Sequence, residues 1–292
     1  MENKVITKIE TCPADGIFMK SETIPAANLP ENQEWGVVNF FDDVVLGNIL
    51  DGVDIVIHSL STINPGNSNN DYMRGYSKDF IQTIKLAELV IKKNIKMIFL
   101  SSGGTVYGKQ TVMPIKEDAY PLPINHYGNV KLCIENVLRT FNVQLHTKML
   151  IARISNPYGP GQDFNKGVGF VDACLKKSIK GETIEIWGDG TTARDYIYID
   201  DVCNMIAALI EYDGNEEVFN ISSNTAYSQK DIISMIQKFG LNPVVEYKPG
   251  RSVDVKTIAL DNTKIKKIYE GGITSLHNGM KMYFDYLVQI GR

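Results

Sequence analysis

Two stretches decide how this 292-residue chain is read: Lys96-Met97-Ile98-Phe99-Leu100-Ser101-Ser102-Gly103-Gly104-Thr105-Val106-Tyr107-Gly108 and, about twenty residues on, Tyr127-Gly128-Asn129-Val130-Lys131. The first is an apolar run opening into serines and glycines, which predicts a buried strand over 96–100 ending in a polar loop. The second sets a phenol and an ammonium four residues apart, on one face of a helix predicted over about 126–140. A free phenol has a pKa near 10, so a neighbouring cation is the simplest way to raise its ionised fraction. The spacing alone is weak, because the Tyr and Lys content predicts about one Tyr-x-x-x-Lys by chance and one is present.

Working outward, residues 54–58 form a second β-branched run ending in Ser59-Leu60-Ser61. Residues 79–93 place Phe80, Ile84, Ala87 and Val90 or Ile91 on one face, the period of an amphipathic helix. With a further strand over 147–154, strand and helix alternate as in a doubly wound parallel sheet of the α/β class. After Asn156-Pro157-Tyr158-Gly159-Pro160-Gly161 the texture changes. A helix is predicted over 168–179, strands over 183–187, 196–199 and 218–221, a helix over 229–239 and then a Lys-rich end. These later residues read as a smaller, mixed, substrate-facing domain.

The composition is that of an ordinary globular protein, with 43% hydrophobic and 22% charged residues. A net charge of −4, with no basic stripe, argues against a nucleic-acid partner. Cys12, Cys133, Cys174 and Cys203 form no Cys-x-x-Cys pair, and His58, His126, His146 and His277 lack ligand spacing, so no metal site is expected. No run is long and apolar enough for a membrane span, and Met1-Glu2-Asn3-Lys4 lacks a signal-peptide pattern, so a cytoplasmic location is expected.

In order along the chain, the pieces resemble the extended short-chain dehydrogenase/reductase family, in its nucleotide-sugar epimerase/dehydratase branch typified by UDP-galactose 4-epimerase. The resemblance covers about residues 36–270. It rests on the two stretches above, on 53–58, on Arg153 with Asn156-Pro157-Tyr158-Gly159, on Trp187-Gly188-Asp189-Gly190-Thr191, on Arg194-Asp195-Tyr196, and on Arg251 with Asp254. It implies a Rossmann-like domain over 1–155, truncated at its start, to which strands near 183–224 return, and a mainly substrate-binding domain over 156–292. It also implies NAD as cofactor, with NADP open, a nucleoside-diphosphate sugar as substrate, and a homodimer through the helices at 79–93 and 126–140.

Carried over by residue, Tyr127 resembles the acid/base and Lys131 its partner, which also holds the nicotinamide ribose. Thr105 would bind the reacting hydroxyl. Where members usually have Ser or Thr this chain has Gly103, so the proton-bridging role passes to Thr105 or Ser102; Ser101 and Ser102 could equally be strand-end turn residues. Asn39, Ser59, Leu60, Ser61 and Ser101 fall at cofactor-binding positions, and Asn156, Arg194, Arg251 and Asp254 at substrate positions. Guanidinium suits bidentate phosphate contact. Asp189 reads as a turn residue.

The resemblance fails at the start. Residues 1–35 contain one glycine, Gly16, and cannot supply the Gly-rich loop that cradles a dinucleotide pyrophosphate; they read as a replacement lobe or the remnant of a truncation. Asn39 and Asp79 also depart from the family's usual Asp and Asn. The expectation is an NAD-dependent nucleotide-sugar epimerase. The alternatives are a nucleotide-sugar-binding pseudoenzyme without cofactor binding and, ranked lower, a sugar-nucleotide dehydratase.

Overall fold

The protein is described from a computed structural model, which covers residues 40–162, 169–250 and 255–291. They divide into two compact units: unit 1 holds residues 40–106, 123–152 and 213–218, and unit 2 the rest. The chain is of the α/β class, with parallel strand pairs and helices.

Unit 1 begins with α1 (Asp43–Ile49), whose Asp42 cap accepts from the amides of Val44 and Val45. Then follow β1 (Ile55–His58), α2 (Tyr72–Arg74), a π turn over Gly75–Phe80, α3 (Ile81–Lys92), β2 (Lys96–Ser102), α4 (Gly103–Val106) and α5 (His126–Leu145). The sheet order is β1-β2-β3-β7, where β3 is Leu150–Ile154 and β7 is Val218–Ile221; these two strands leave unit 1 at Ala152 and Val218. β1 and β2 run parallel, Ile55 opposite Lys96 and His58 opposite Phe99. Met97, Phe99, Leu86 and Val90 form the core with Val130, Ile134 and Leu138, which recur every four residues along α5. His58 stacks between Phe40 and Phe99 at 5.4 and 5.7 Å, its Nε2 2.8 Å from Thr83 Oγ1, and burial pushes its pKa down to about 3, so it stays neutral.

Several expected bounds are corrected. The helix expected to start at Asp79 is preceded by α2 and the π turn, within which Gly75 and Asp79 are buried. α5 runs on to Leu145 and stops at His146, which adopts a left-handed φ of 54°. The expected strand over 147–154 begins only at Leu150, since Thr147 Oγ1 and the Met149 amide both donate to Asn142 Oδ1. Leu86 lies in the core, so it does not extend an exposed apolar face of α3; Ile81 does, at 48% exposure.

Unit 2 is organised around β6 (Ala193–Tyr198), which pairs in parallel with β4 (Asn156–Tyr158) and β10 (Thr257–Ile258) and antiparallel with β8 (Ala226–Ser228). β5 (Thr183–Trp187) pairs in parallel with β9 (Val244–Lys248). α6 (Phe170–Lys180) ends at Gly181 with φ 69°, and α8 (Gln229–Lys238) begins with a reciprocal Ser228–Asp231 capping box. Two helices are absent from the sequence reading. α7 (Ile199–Glu211) starts where a strand was expected to end, and α9 (Leu276–Gln289) fills the Lys-rich end. Gly279 lets α9 approach closely, because a Cβ there would lie 2.3 Å from Tyr158 Oη. Among the described residues no helix is long and apolar enough to cross a membrane.

The core of unit 2 holds an ion pair. Lys176 Nζ lies 2.8 Å from Asp172 Oδ1, which also accepts from the Tyr283 hydroxyl, and both charged side chains are almost wholly buried. Removing one partner strands the other's charge, so Asp172→Ala is expected to lose about 3–5 kcal/mol in urea unfolding. A loss below about 1 kcal/mol would show that Lys176 reaches solvent unaided.

Candidate functional site

In unit 1 the carboxyl end of β2 and the start of α5 bring the expected acid/base residues together. β2 ends in Ser101 and Ser102, α4 carries Thr105, and Asn125 caps α5 by accepting from the Gly128 amide at 2.8 Å. A Cβ on Gly128 would lie 2.6 Å from the Thr105 carbonyl oxygen, so only glycine allows this approach of α5 to α4 beside Tyr127. Lys131 is buried and its Nζ donates to the Leu100 carbonyl at 3.1 Å, 4.7 Å from the Phe99 ring centre and 5.7 Å from that of Tyr127. Thr105 Oγ1 is buried and finds no hydrogen-bond partner among the described residues. Ser102 is half-buried at the end of β2. Ser101 instead donates to Glu135 in the interior, a structural contact.

Electrostatics around the pair differ from the simple expectation. Tyr127 keeps an accessible edge, yet dense packing pushes its phenol up to about 12, and the Asp79 carboxylate adds to the rise. Beside Lys131 the phenol is still harder to ionise than free tyrosine, because desolvation and the Asp79 carboxylate both raise its pKa. Burial pushes Lys131 itself down to about 8, against the pull of Asp79 and Glu135. Asp79 is held by the Ser61 hydroxyl at 2.7 Å and the Thr62 amide at 2.9 Å. The sequence singled out Asp79 only as a departure, whereas the structure gives it a place in the electrostatics of the pair.

The loop after β1 carries the other expected cofactor residues: Ser59 is exposed, Leu60 is buried and Ser61 donates to both Ile63 O and Asp79. Ser59 and Leu60 line a small cavity of about 40 Å³ with Phe40, Leu46 and Leu86. Thr62 Oγ1, next in this loop, is buried without a hydrogen bond. Two orphaned hydroxyls, on Thr62 and Thr105, with the Tyr127–Lys131 pair suit the nicotinamide-ribose end of a dinucleotide. Asn39, and the segment where a pyrophosphate cradle was sought, lie outside the described residues.

In unit 2 a cavity of about 300 Å³ is lined by the expected Asn156 and Arg194. Asn156 Nδ2 donates to the Asp195 carbonyl at 2.9 Å, and Arg194 Nη1 to the Ala193 carbonyl at 2.8 Å. Phe170, Trp187, Tyr196 and Gln229 also line it and were not anticipated. Trp187 could have been found from its place before the Gly188-Asp189-Gly190 turn, but Gln229 carries no sequence signal. Asp189 is a turn residue, accepting from the amide and hydroxyl of Thr191. Arg251 and Asp254 lie outside the described residues. Among the described residues no three His, Cys, Asp or Glu side chains are grouped to hold a metal ion.

Comparison with known proteins agrees with this arrangement. Residues 19–222 match the sequence model of the NAD dependent epimerase/dehydratase family. The chain is 34% identical over 216 residues to the dTDP-4-dehydro-6-deoxyglucose reductase of Escherichia coli; the match covers 72% of this chain and 66% of that protein, just under two thirds of its length. The UDP-glucose 4-epimerase of Thermotoga maritima, solved with UDP-glucose, superposes with a TM-score of 0.85 at 30% identity, over 93% of this chain and 89% of that one. The UDP-glucuronic acid 4-epimerase of Bacillus cereus, solved with UDP-glucuronic acid and NAD, gives 0.77 at 27% identity, over 85% and 80%. With α/β topology and a match over residues 19–222, most of its length, the chain belongs to the NAD dependent epimerase/dehydratase family.

Proposed function

We propose that this chain is an NAD-dependent epimerase of a nucleoside-diphosphate sugar. The observation that carries the reading is the Tyr127–Lys131 pair beside a Thr105 hydroxyl that is buried and unpartnered. A sugar hydroxyl is the natural partner for Thr105 Oγ1, and held there it can pass its proton to Tyr127 once the phenol has ionised. Lys131 would stabilise that phenolate before it takes the proton and would hold the nicotinamide ribose; Ser102 is the second candidate for the proton bridge. Ser59, Leu60 and Ser61 fall on the cofactor side, while Ser101 supports the site through Glu135. Asn156 and Arg194, with Arg251 and Asp254, are assigned to the sugar and diphosphate. NAD, when bound, would supply the hydride acceptor and donor that such an epimerisation needs. The Escherichia coli relative's name suggests a second reading as a keto-sugar reductase, which uses one half of the same chemistry.

Epimerisation of UDP-glucose with catalytic NAD tests the reading; oxidation of NADH in proportion to a keto-sugar supplied would favour the reductase instead. Tyr127→Phe is expected to keep UDP-sugar affinity and lose about 10²–10⁴-fold in turnover. Comparable turnover would remove Tyr127 from its role.

Lys131 should cost stability for the sake of function. Its folded pKa, about 8, lies below its ordinary value of 10.5, so between these values the unfolded chain binds more protons and stability rises with pH. Lys131→Met is therefore expected to melt above the parent near pH 7, with the gap closing as pH rises from 8 to 10.5, while activity is lost. A parent chain with flat stability across that window would contradict the burial argument.

Part of the same reading is a homodimer through α3 and α5, where Ile81 and Val143 are exposed. Sedimentation as a monomer at micromolar concentration would remove it.

A further inference from the structure

The cavity of unit 2 contains a group that neither the acid/base pair nor the diphosphate contacts use. Gln229, the first residue of α8, lines the cavity, and its Oε1 is buried without a hydrogen-bond partner. The polar groups around it are accounted for. The Gln229 amide donates to the Thr192 carbonyl at 3.1 Å, the Lys230 amide to the Gly190 carbonyl at 3.2 Å and the Asp231 amide to Ser228 Oγ at 3.1 Å. Asp231 Oδ2 in turn accepts from the Ser228 amide and hydroxyl at 2.7 and 2.6 Å. The start of α8 thus has its first amides engaged, and the unmet demand is for a donor to one carboxamide oxygen.

We propose that Gln229 is the base-recognition residue of this chain, its Oε1 accepting the ring N–H of a pyrimidine imide, uracil or thymine. The proposal rests on the nucleotide-sugar reading above and names the base that reading leaves open. A carboxamide sets an acceptor beside a donor, and the imide edge sets an N–H beside a carbonyl, so the two can pair in one plane. Phe170, Trp187 and Tyr196 line the same cavity and offer apolar surface for a flat ring. Its volume, about 300 Å³, leaves room for a base ring beside Gln229. A buried acceptor left unpaired is costly, and an orphan lining a cavity is explained when the ligand supplies the donor.

The test compares UDP-glucose with N3-methyl-UDP-glucose, in which a methyl group replaces the imide proton, by titration calorimetry on the full chain. A site built to hydrogen-bond a group rejects the analogue lacking it, so the parent is expected to bind the methylated ligand at least ~10-fold more weakly. Gln229→Ala is expected to bind UDP-glucose about 10-fold more weakly than the parent and to bind the two ligands alike. Gln229→Glu, which keeps an acceptor oxygen, is expected to retain the preference for the unmethylated base. A purely structural role for Gln229 would leave the ratio of the two ligands unchanged on substitution. Equal binding of both ligands by the parent, or an undiminished preference in Gln229→Ala, would overturn the assignment while leaving the nucleotide-sugar reading in place. Failure of the parent to bind either UDP-glucose or dTDP-glucose would overturn both.

Discussion

The arrangement of the candidate site in unit 1 depends on one buried cation. The Lys131 ammonium donates to the Leu100 carbonyl and lies over the Phe99 ring, so the first turns of α5 are tied to the last residues of β2. An ammonium taken out of water must find compensation, and here it comes from a carbonyl dipole, an aromatic face and the carboxylates of Asp79 and Glu135. The same tie places Tyr127 one helical turn away on the same face, and Gly128 then permits the contact that brings Thr105 alongside. The placing of Tyr127 and Thr105 follows from where this lysine is anchored.

Unit 2 has a negative counterpart. Asp195 is buried and its carboxylate accepts from the Ser223 amide and hydroxyl at 2.9 and 2.8 Å, the Asn224 amide at 3.1 Å and the Leu260 amide at 3.1 Å. These donors come from two distant parts of the chain, so one side chain of β6 gathers the turn before β8 and the segment after β10. Desolvation still pushes its pKa up to about 6 against the hydrogen bonds. Side chains alternate along a strand, so Asp195 works in the interior while its neighbours Arg194 and Tyr196 line the cavity.

Much of this was legible locally. Strands at Thr183–Trp187 and Val218–Ile221 stand where they were read, because short β-branched runs bounded by turn residues carry their own signal. α7 was missed because β6 passes into it at Tyr198 with no side-chain cap, no glycine and no proline to mark the change of period. The π turn before α3 has no sequence signature, and it decides the burial of Asp79.

The sequence by itself determined that Tyr127 and Lys131 share a helix face and that a buried strand runs through 96–100, since these follow from helix and strand periods that need only near neighbours; that this strand continues to Ser102 and passes into α4, and that Arg194 lies in β6, came from the structure. Tertiary structure alone decided which groups are left wanting. The phenol of Tyr127 is harder to ionise than in water, and the oxygens of Thr105 and Gln229 lack partners, because packing by residues remote in sequence removed the solvent that would have satisfied them.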